Sequence, residues 1–66
     1  MLEVLSNGTE YLITQIGKSN PGWCTIGSAE TIEDAKITSK RDWDHYWSLT
    51  GITPSRPIKI SVDLRV

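Results

Sequence analysis

The stretch SAETIEDAKITSKRDWDHYWSLTG, residues 28–51, decides the fold, because its apolar residues follow the period of a helix. Thr31 is a suitable N-cap residue, and Ser28 is a second candidate for that position. Glu33 and Asp34 then fall in the first turn, where the helix dipole favours negative charge. The sequence therefore predicts a helix that begins close to Thr31.

One side of this helix carries most of its apolar and small residues. At about 100° per residue, a single stripe contains Ile32, Ala35, Ser39, Trp43, Tyr46 and Thr50, with Lys36 and Trp47 at its margin. A stripe of this kind is typical of a helix packed on a sheet, so we expect Trp43 and Tyr46 in the core. The helix should run to about Leu49 and stop at Gly51.

Two apolar-rich runs precede the helix and flank Asn7-Gly8, in residues 2–16. Asn-Gly is a strong signal for a two-residue hairpin turn, because both residues tolerate positive φ. The pairs expected from such a turn are Val4–Tyr11 and Leu2–Ile13. The other face of this hairpin would carry Leu5, Leu12 and Ile16, and we expect this face to be partly exposed to solvent, that is, partly wet.

Two further strands complete the predicted sheet. Pro21-Gly22 indicates a turn before a short strand at residues 23–27. The segment PIKISVDLRV, residues 57–66, alternates without a fault, which predicts a strand with one dry and one wet face. The chain is therefore expected to be one α+β domain, residues 1–66. Its predicted order is β-β-β-α-β: a small antiparallel-rich sheet with one helix packed on one face.

Charge and cysteine content narrow the possible functions. Seven basic and eight acidic residues give a net charge of −1, whereas nucleic-acid-binding domains usually carry a basic excess. The first ten residues have neither a basic stretch nor a long apolar run, so we expect no signal peptide or membrane span. The single cysteine, Cys24, fits a reducing compartment, and we expect a cytoplasmic protein.

The densest chemistry lies in RDWDHYWSLTG, residues 41–51. By helical spacing only Asp42 and His45 could contact the same metal ion or substrate group. These are two side chains, whereas a zinc site needs three or four ligands. No nucleophile motif accompanies His45, the only histidine. We therefore predict no catalytic residue, no metal and no cofactor. Lys40 and Asp44, four residues apart, are expected to form a pair on a solvated face.

Binding to another protein is the function that these residues favour. The candidate surfaces are the outer helix face, the sheet face opposite the helix and the two sheet edges. The residues predicted to contact a partner are Trp23, Lys40, Arg41, Asp44 and His45. The alternative is a module that binds single-stranded nucleic acid through Lys36, Lys40, Arg41, Trp47 and Trp23. An enzyme, or an accessory subunit of one, comes third, and a homodimer is left open.

The segment SAETIEDAKITSKR, residues 28–41, also carries a resemblance. Ala-Glu, then Ser or Thr, then Ile or Leu, one variable residue, an acid and finally Ala-Lys is a pattern of small phage and mobile-element proteins. The segment and the order of elements resemble anti-CRISPR proteins of this type. The resemblance implies an inhibitor that binds a host nuclease or effector complex without catalysis. It transfers no functional residue, because the matching positions form a strand-to-helix junction.

Overall fold

A four-stranded sheet with one helix on one face forms the computed structural model, which describes residues 1–18, 20–52 and 57–64. The elements are β1 (Leu2–Ser6), β2 (Tyr11–Gln15), β3 (Cys24–Ala29), α1 (Ile32–Thr50) and β4 (Ile60–Asp63). Their order in the sheet is β3-β1-β2-β4, with β1 antiparallel to both neighbours and β2 parallel to β4. The predicted α+β class and the predicted β-β-β-α-β order are confirmed.

The first hairpin has a longer turn than the sequence predicts. The Asn7 amide donates to the carbonyl of Glu10 at 3.2 Å, and the Asn7 side chain accepts from the Glu10 amide at 2.8 Å. Only Gly8 takes positive φ, at 97°, so the Asn7 side chain shapes the loop rather than a left-handed Asn7 backbone. The predicted pairs were wrong by two residues: the observed pairs are Val4–Ile13 and Leu2–Gln15. A shift of two keeps every side chain on its predicted face.

An extra residue interrupts the pairing of β3 with β1. Val4 pairs with Gly27 and Leu5 with Thr25, so Ile26 forms a bulge. The helix comes close to the sheet at this point. A Cβ added to Gly27 would lie 3.2 Å from the Cγ2 of Thr38, so a glycine here lets the helix approach β3.

The two crossing connections cover opposite faces of the sheet. β2 and β3 both run antiparallel to β1, so the chain between them must cross a sheet face, and α1 occupies the other. The Nζ of Lys18, in this connection, lies 3.3 Å from the Oδ2 of Asp63. On this second face Leu5 is 3% exposed and Thr14 0% exposed. The expectation of a partly wet face holds for Glu3 and Leu12, which are half-buried, and not for Leu5 and Thr14.

Both predicted ends of the helix are confirmed. The Oγ1 of Thr31 accepts a hydrogen bond from the Asp34 amide at 3.1 Å. At the other end Gly51 takes a left-handed φ of 70°, and its amide donates to the carbonyl of Trp47 at 3.0 Å. The helix thus ends at Thr50, one residue beyond the predicted Leu49.

The buried side of the helix is only partly the predicted one. Ala35, Ser39 and Trp43 are buried, and Trp47 packs against the core cluster at the next four-residue step. The prediction that Tyr46 is core was wrong, because its side chain is half exposed. Each four-residue step advances about 40° around the helix axis, so the buried stripe turns towards Trp47 and away from Tyr46.

The last strand fits the alternation of its sequence over the part that the structure describes. Ile60 pairs with Tyr11 and Val62 with Ile13, which places both on the helix side of the sheet. Ile60 packs on the core, whereas Val62 is 44% exposed, since the helix packs chiefly on β1, β2 and β3. The strand was predicted to continue to residue 66, and residues 65–66 lie outside the described residues.

Candidate functional site

A row of four aromatic rings links the sheet to the end of the helix. Tyr11 lies against Trp43 with ring centroids 6.3 Å apart, and Trp43 lies against Trp47 at 5.3 Å. Tyr46 extends the row from Trp47 at 5.1 Å. All three contacts are edge-to-face, an arrangement that aromatic quadrupoles favour. The row begins in the core and ends at the exposed Tyr46 ring.

A partly buried hydrogen bond fixes the Tyr11 end of this row. The Tyr11 hydroxyl donates to the Oδ2 of Asp42 at 2.6 Å. Burial raises the pKa of the Tyr11 hydroxyl well above its ordinary value, and the hydrogen bond and charge of Asp42 raise that pKa further. Asp42 is therefore committed to tying the helix to β2, a role that its position in the sequence did not reveal.

The possible metal or acid–base pair, Asp42 and His45, has no common target in the fold. Asp42 is partly buried and bonded to Tyr11, whereas the His45 side chain is exposed on the outer helix surface. Within residues 1–18, 20–52 and 57–64, no group of three His, Cys, Asp or Glu side chains could hold a metal ion. What the geometry offers at Asp42 is a structural hydrogen bond.

Four of the five predicted contact residues are exposed on the helix: Lys40, Arg41, Asp44 and His45. Helical spacing places Arg41 and His45 on the outer surface of the helix, about 160° from the neighbouring buried residues, on the same side as Thr38, which faces Gly27. Lys40 and Asp44, only about 40° apart, share the opposite flank. The predicted Lys40–Asp44 pair is not among the ion pairs found in the described part of the chain.

Trp23, the fifth predicted residue, lies apart from the other four. It precedes β3 in the connection that crosses the sheet face opposite the helix, and its side chain is half-buried. Its amide donates to the carbonyl of Asn20 at 3.2 Å. The structure therefore divides the predicted contact residues between two surfaces on opposite sides of the sheet.

An apolar surface at the C-terminal end of the helix was not predicted. Tyr46 is 52% exposed, Leu49 73% and Ile52 59%, and we call these three residues the terminal patch. Tyr46 and Leu49, three positions apart, are neighbours on the helix surface. Leu49 lies about 120° from Trp43 around the helix, so the sequence did contain the signal that Leu49 faces away from the core.

Trp47 is not available for stacking against a nucleic-acid base. It packs against the core between Trp43 and Tyr46, and its Nε1 is buried without a hydrogen-bond partner among the described residues. Trp23 lies across the sheet from the helix lysines. The described structure therefore does not bring the rings of Trp47 and Trp23 together with the cations as the nucleic-acid alternative requires.

Within the described residues, no helix is long and apolar enough to cross a membrane. No protein-family model, curated protein or solved structure matches the chain.

Proposed function

We propose that this chain is a non-catalytic protein-binding module that acts by occupying a surface of another protein. The observation that carries the proposal is the terminal patch, where three large apolar side chains are more than half exposed at one end of the helix. Exposed apolar side chains that adjoin, as Tyr46 and Leu49 do by helical spacing, commonly mark a site of protein contact.

The residues of the terminal patch are of the kind that dominate binding energy in protein interfaces. Full burial of a leucine side chain is worth about 1.5–3 kcal/mol relative to full exposure, and Leu49 is 73% exposed, so most of that gain remains for a partner. Tyrosine is enriched among the residues that dominate binding energy. Tyr46 is also held by its edge-to-face contact with Trp47, so a partner would immobilise it at little entropic cost.

The helix surface around the patch is polar. The exposed His45, four residues before Leu49, adjoins the patch, and Lys40 and Asp44, of opposite charge, are exposed on another side of the same helix. A surface of mixed charge suits a protein partner, whereas a polyanion would be repelled by the acids. The anti-CRISPR resemblance of residues 28–41 suggests a host nuclease or effector complex as that partner, which would make the chain an inhibitor.

Affinity capture from a bacterial lysate tests the proposal with a matched pair of variants. Leu49→Ser removes the most exposed apolar side chain of the patch, and Ile37→Ser removes an exposed apolar side chain of the outer helix face. Loss of one buried leucine contact should weaken capture of the partner by about tenfold or more. Ile37→Ser should capture as the wild type does. Equal capture by wild type and Leu49→Ser would contradict the proposal.

The same protein preparation can be tested against single-stranded DNA and RNA at two salt concentrations. Proteins that neutralise phosphates lose affinity steeply as salt rises. We expect no binding of this kind, because the exposed lysines stand beside acids and away from the rings of Trp23 and Trp47. Micromolar binding with steep salt dependence would replace our proposal with the nucleic-acid alternative.

A further inference from the structure

We propose that two copies of this chain associate through β3, which joins their sheets into one eight-stranded sheet with both helices on the same face. Three features of the described residues support this self-association, and each can be examined separately: the composition of β3, the symmetry of its bulge and the charges on the helix above it. The terminal patch is not part of this surface.

The free edge of β3 lacks two of the usual protections against strand pairing. Within the described residues β3 pairs with β1 alone, which leaves its other edge open. Its sequence, CTIGSA, contains no charged residue and no proline, both of which block edges in other sheets. The opposite edge, β4, has four residues, of which Asp63 is charged, with Lys59 just before it. Of the two edges, β3 is thus the one suited to adding a strand.

The bulge gives β3 a pseudo-symmetric arrangement about its own centre. In antiparallel pairing, residues that face each other across two strands must point to the same side of the sheet. Thr25 and Ser28 pair with Leu5 and Glu3, so they share the face away from the helix although they are three positions apart. This is possible because Ile26 is an extra residue. A two-fold axis between Ile26 and Gly27 therefore places Thr25 opposite the partner's Ser28.

The helix charges are complementary about the same axis. Thr38 lies directly over Gly27, next to the proposed axis, and Asp34 and Arg41 flank Thr38 four residues before and three after. Both are exposed, and by helical spacing Asp34 lies about 40° and Arg41 about 60° beyond Thr38, on the side away from the buried Ala35, from which their side chains can reach over the free edge of β3. The two helices run antiparallel about this axis. Asp34 of one copy then approaches the partner's Arg41, and the pair occurs twice.

A stable interface needs more area than the edge of β3 provides, so the flank of α1 must contribute to it. A typical specific interface takes about 800 Å² from each partner, roughly a sixth of the 4635 Å² accessible surface of this chain. A six-residue strand edge is only about 20 Å long and cannot supply that area alone. The helix flank beside it supplies additional area, together with charges whose arrangement selects a second copy of the same chain.

Charge reversal tests the helix part of the interface, with sedimentation measurements on the full chain from about 1 µM to about 1 mM. Arg41→Glu and Asp34→Lys each replace two attractions with two repulsions, and we expect either to raise the dimer dissociation constant by about tenfold. The double variant exchanges the charges and should restore dimerisation. Lys40→Glu and Asp44→Lys make the same changes in net charge elsewhere on the helix, and they should leave the dissociation constant unchanged.

Disulfide trapping tests the register of the strands. In a Cys24→Ser background, Thr25→Cys with Ser28→Cys places new thiols opposite each other, at Cα separations of about 4.5–5.5 Å that a disulfide can span. Mild oxidation should give a covalent dimer. Thr25→Cys alone leaves the two thiols about 10 Å apart along the strands and should remain uncrosslinked.

Three outcomes would overturn the proposal: a wild-type chain that stays monomeric to about 1 mM, a dimer equally weakened by the matched control reversals, or equal trapping of the single-cysteine variant. A different result tests the proposed function. Leu49→Ser is expected to impair partner capture and to leave dimerisation intact, so unimpaired capture by Leu49→Ser would contradict the proposed function and not the dimer. Circular dichroism of each variant separates loss of association from loss of fold.

Discussion

Replacement of Tyr11 by Phe should remove one hydrogen bond and keep the ring contacts of the core. The Tyr11 hydroxyl is 2.6 Å from the Oδ2 of Asp42, and the Tyr11 side chain is buried. A hydrogen bond to a charged group is worth about 1.5–3 kcal/mol, and the partly exposed Asp42 can regain water, which favours the lower end. We expect a loss of about 1.5 kcal/mol near pH 7. A domain of 66 residues has a total stability of only about 3–10 kcal/mol, so the loss should be readily measured.

The same hydrogen bond predicts a pH dependence of definite sign. Because the pKa of Tyr11 is raised in the folded state, the folded chain retains the hydroxyl proton after the unfolded chain has lost it. The stability contributed by Tyr11 is therefore complete below about pH 10 and declines as pH rises towards the folded-state pKa, by up to about 1.4 kcal/mol per pH unit. The advantage of wild type over Tyr11→Phe should then disappear near pH 11.

Urea unfolding followed by tryptophan fluorescence, at about pH 7, 9 and 11, measures both effects. A double-mutant cycle with Asp42→Ala should give a coupling energy close to the loss in Tyr11→Phe alone, since the two groups act on each other. A stability difference that stays constant from about pH 9 to about pH 11 would refute the reasoning. It would mean that the Tyr11 hydroxyl titrates as freely in the folded chain as in the unfolded one.

Three further predictions concern the packing of the sheet. Trp43→Ala should cost about 3–5 kcal/mol, comparable with the whole stability of so small a domain, and circular dichroism should show an unfolded chain at 37 °C. Thr14→Val should raise the urea midpoint by an amount equivalent to about 1 kcal/mol, because the Thr14 Oγ1 is buried without a partner among the described residues; a lowered midpoint would show that this hydroxyl is satisfied. Gly27→Ala should lower the melting temperature, since its new Cβ would lie 3.2 Å from the Cγ2 of Thr38, and Thr38→Ser, which lacks that methyl group, should reverse the effect.

Local sequence signals predicted the elements of this fold well, because most of them depend on neighbouring residues. The cap at Thr31 and the stop at Gly51 require only a side-chain oxygen and a left-handed glycine at suitable positions. The hairpin register failed because two turns were compatible with Asn7-Gly8, and only the closure of the loop by the Asn7 side chain selects the longer one. The bulge at Ile26 has no local signal, since it depends on how β3 meets β1.

The candidate site was harder to predict because it depends on where the helix crosses the sheet. Sequence alone places Tyr46 and Trp43 on nearly the same stripe, and it cannot show that the buried positions advance by four residues to Trp47. The bond between Tyr11 and Asp42 joins residues 31 positions apart and belongs to tertiary structure. The exposure of Lys40 and Arg41, by contrast, followed directly from their charge and their spacing.

The terminal patch has a geometric origin in the unequal lengths of helix and sheet. A helix of 19 residues is about 28 Å long, whereas β1 and β2, with five residues each, span only about 17 Å. The helix must therefore extend beyond the strands, and at its C-terminal end the side chains of Tyr46 and Leu49 remain exposed. An exposed leucine contributes little to folding, so a polar residue would serve the isolated domain equally well. If Leu49 is present for a partner, Leu49→Ser should leave the urea midpoint unchanged and weaken capture by about tenfold or more. A variant that instead unfolds would show that Leu49 contributes to the packing of the domain.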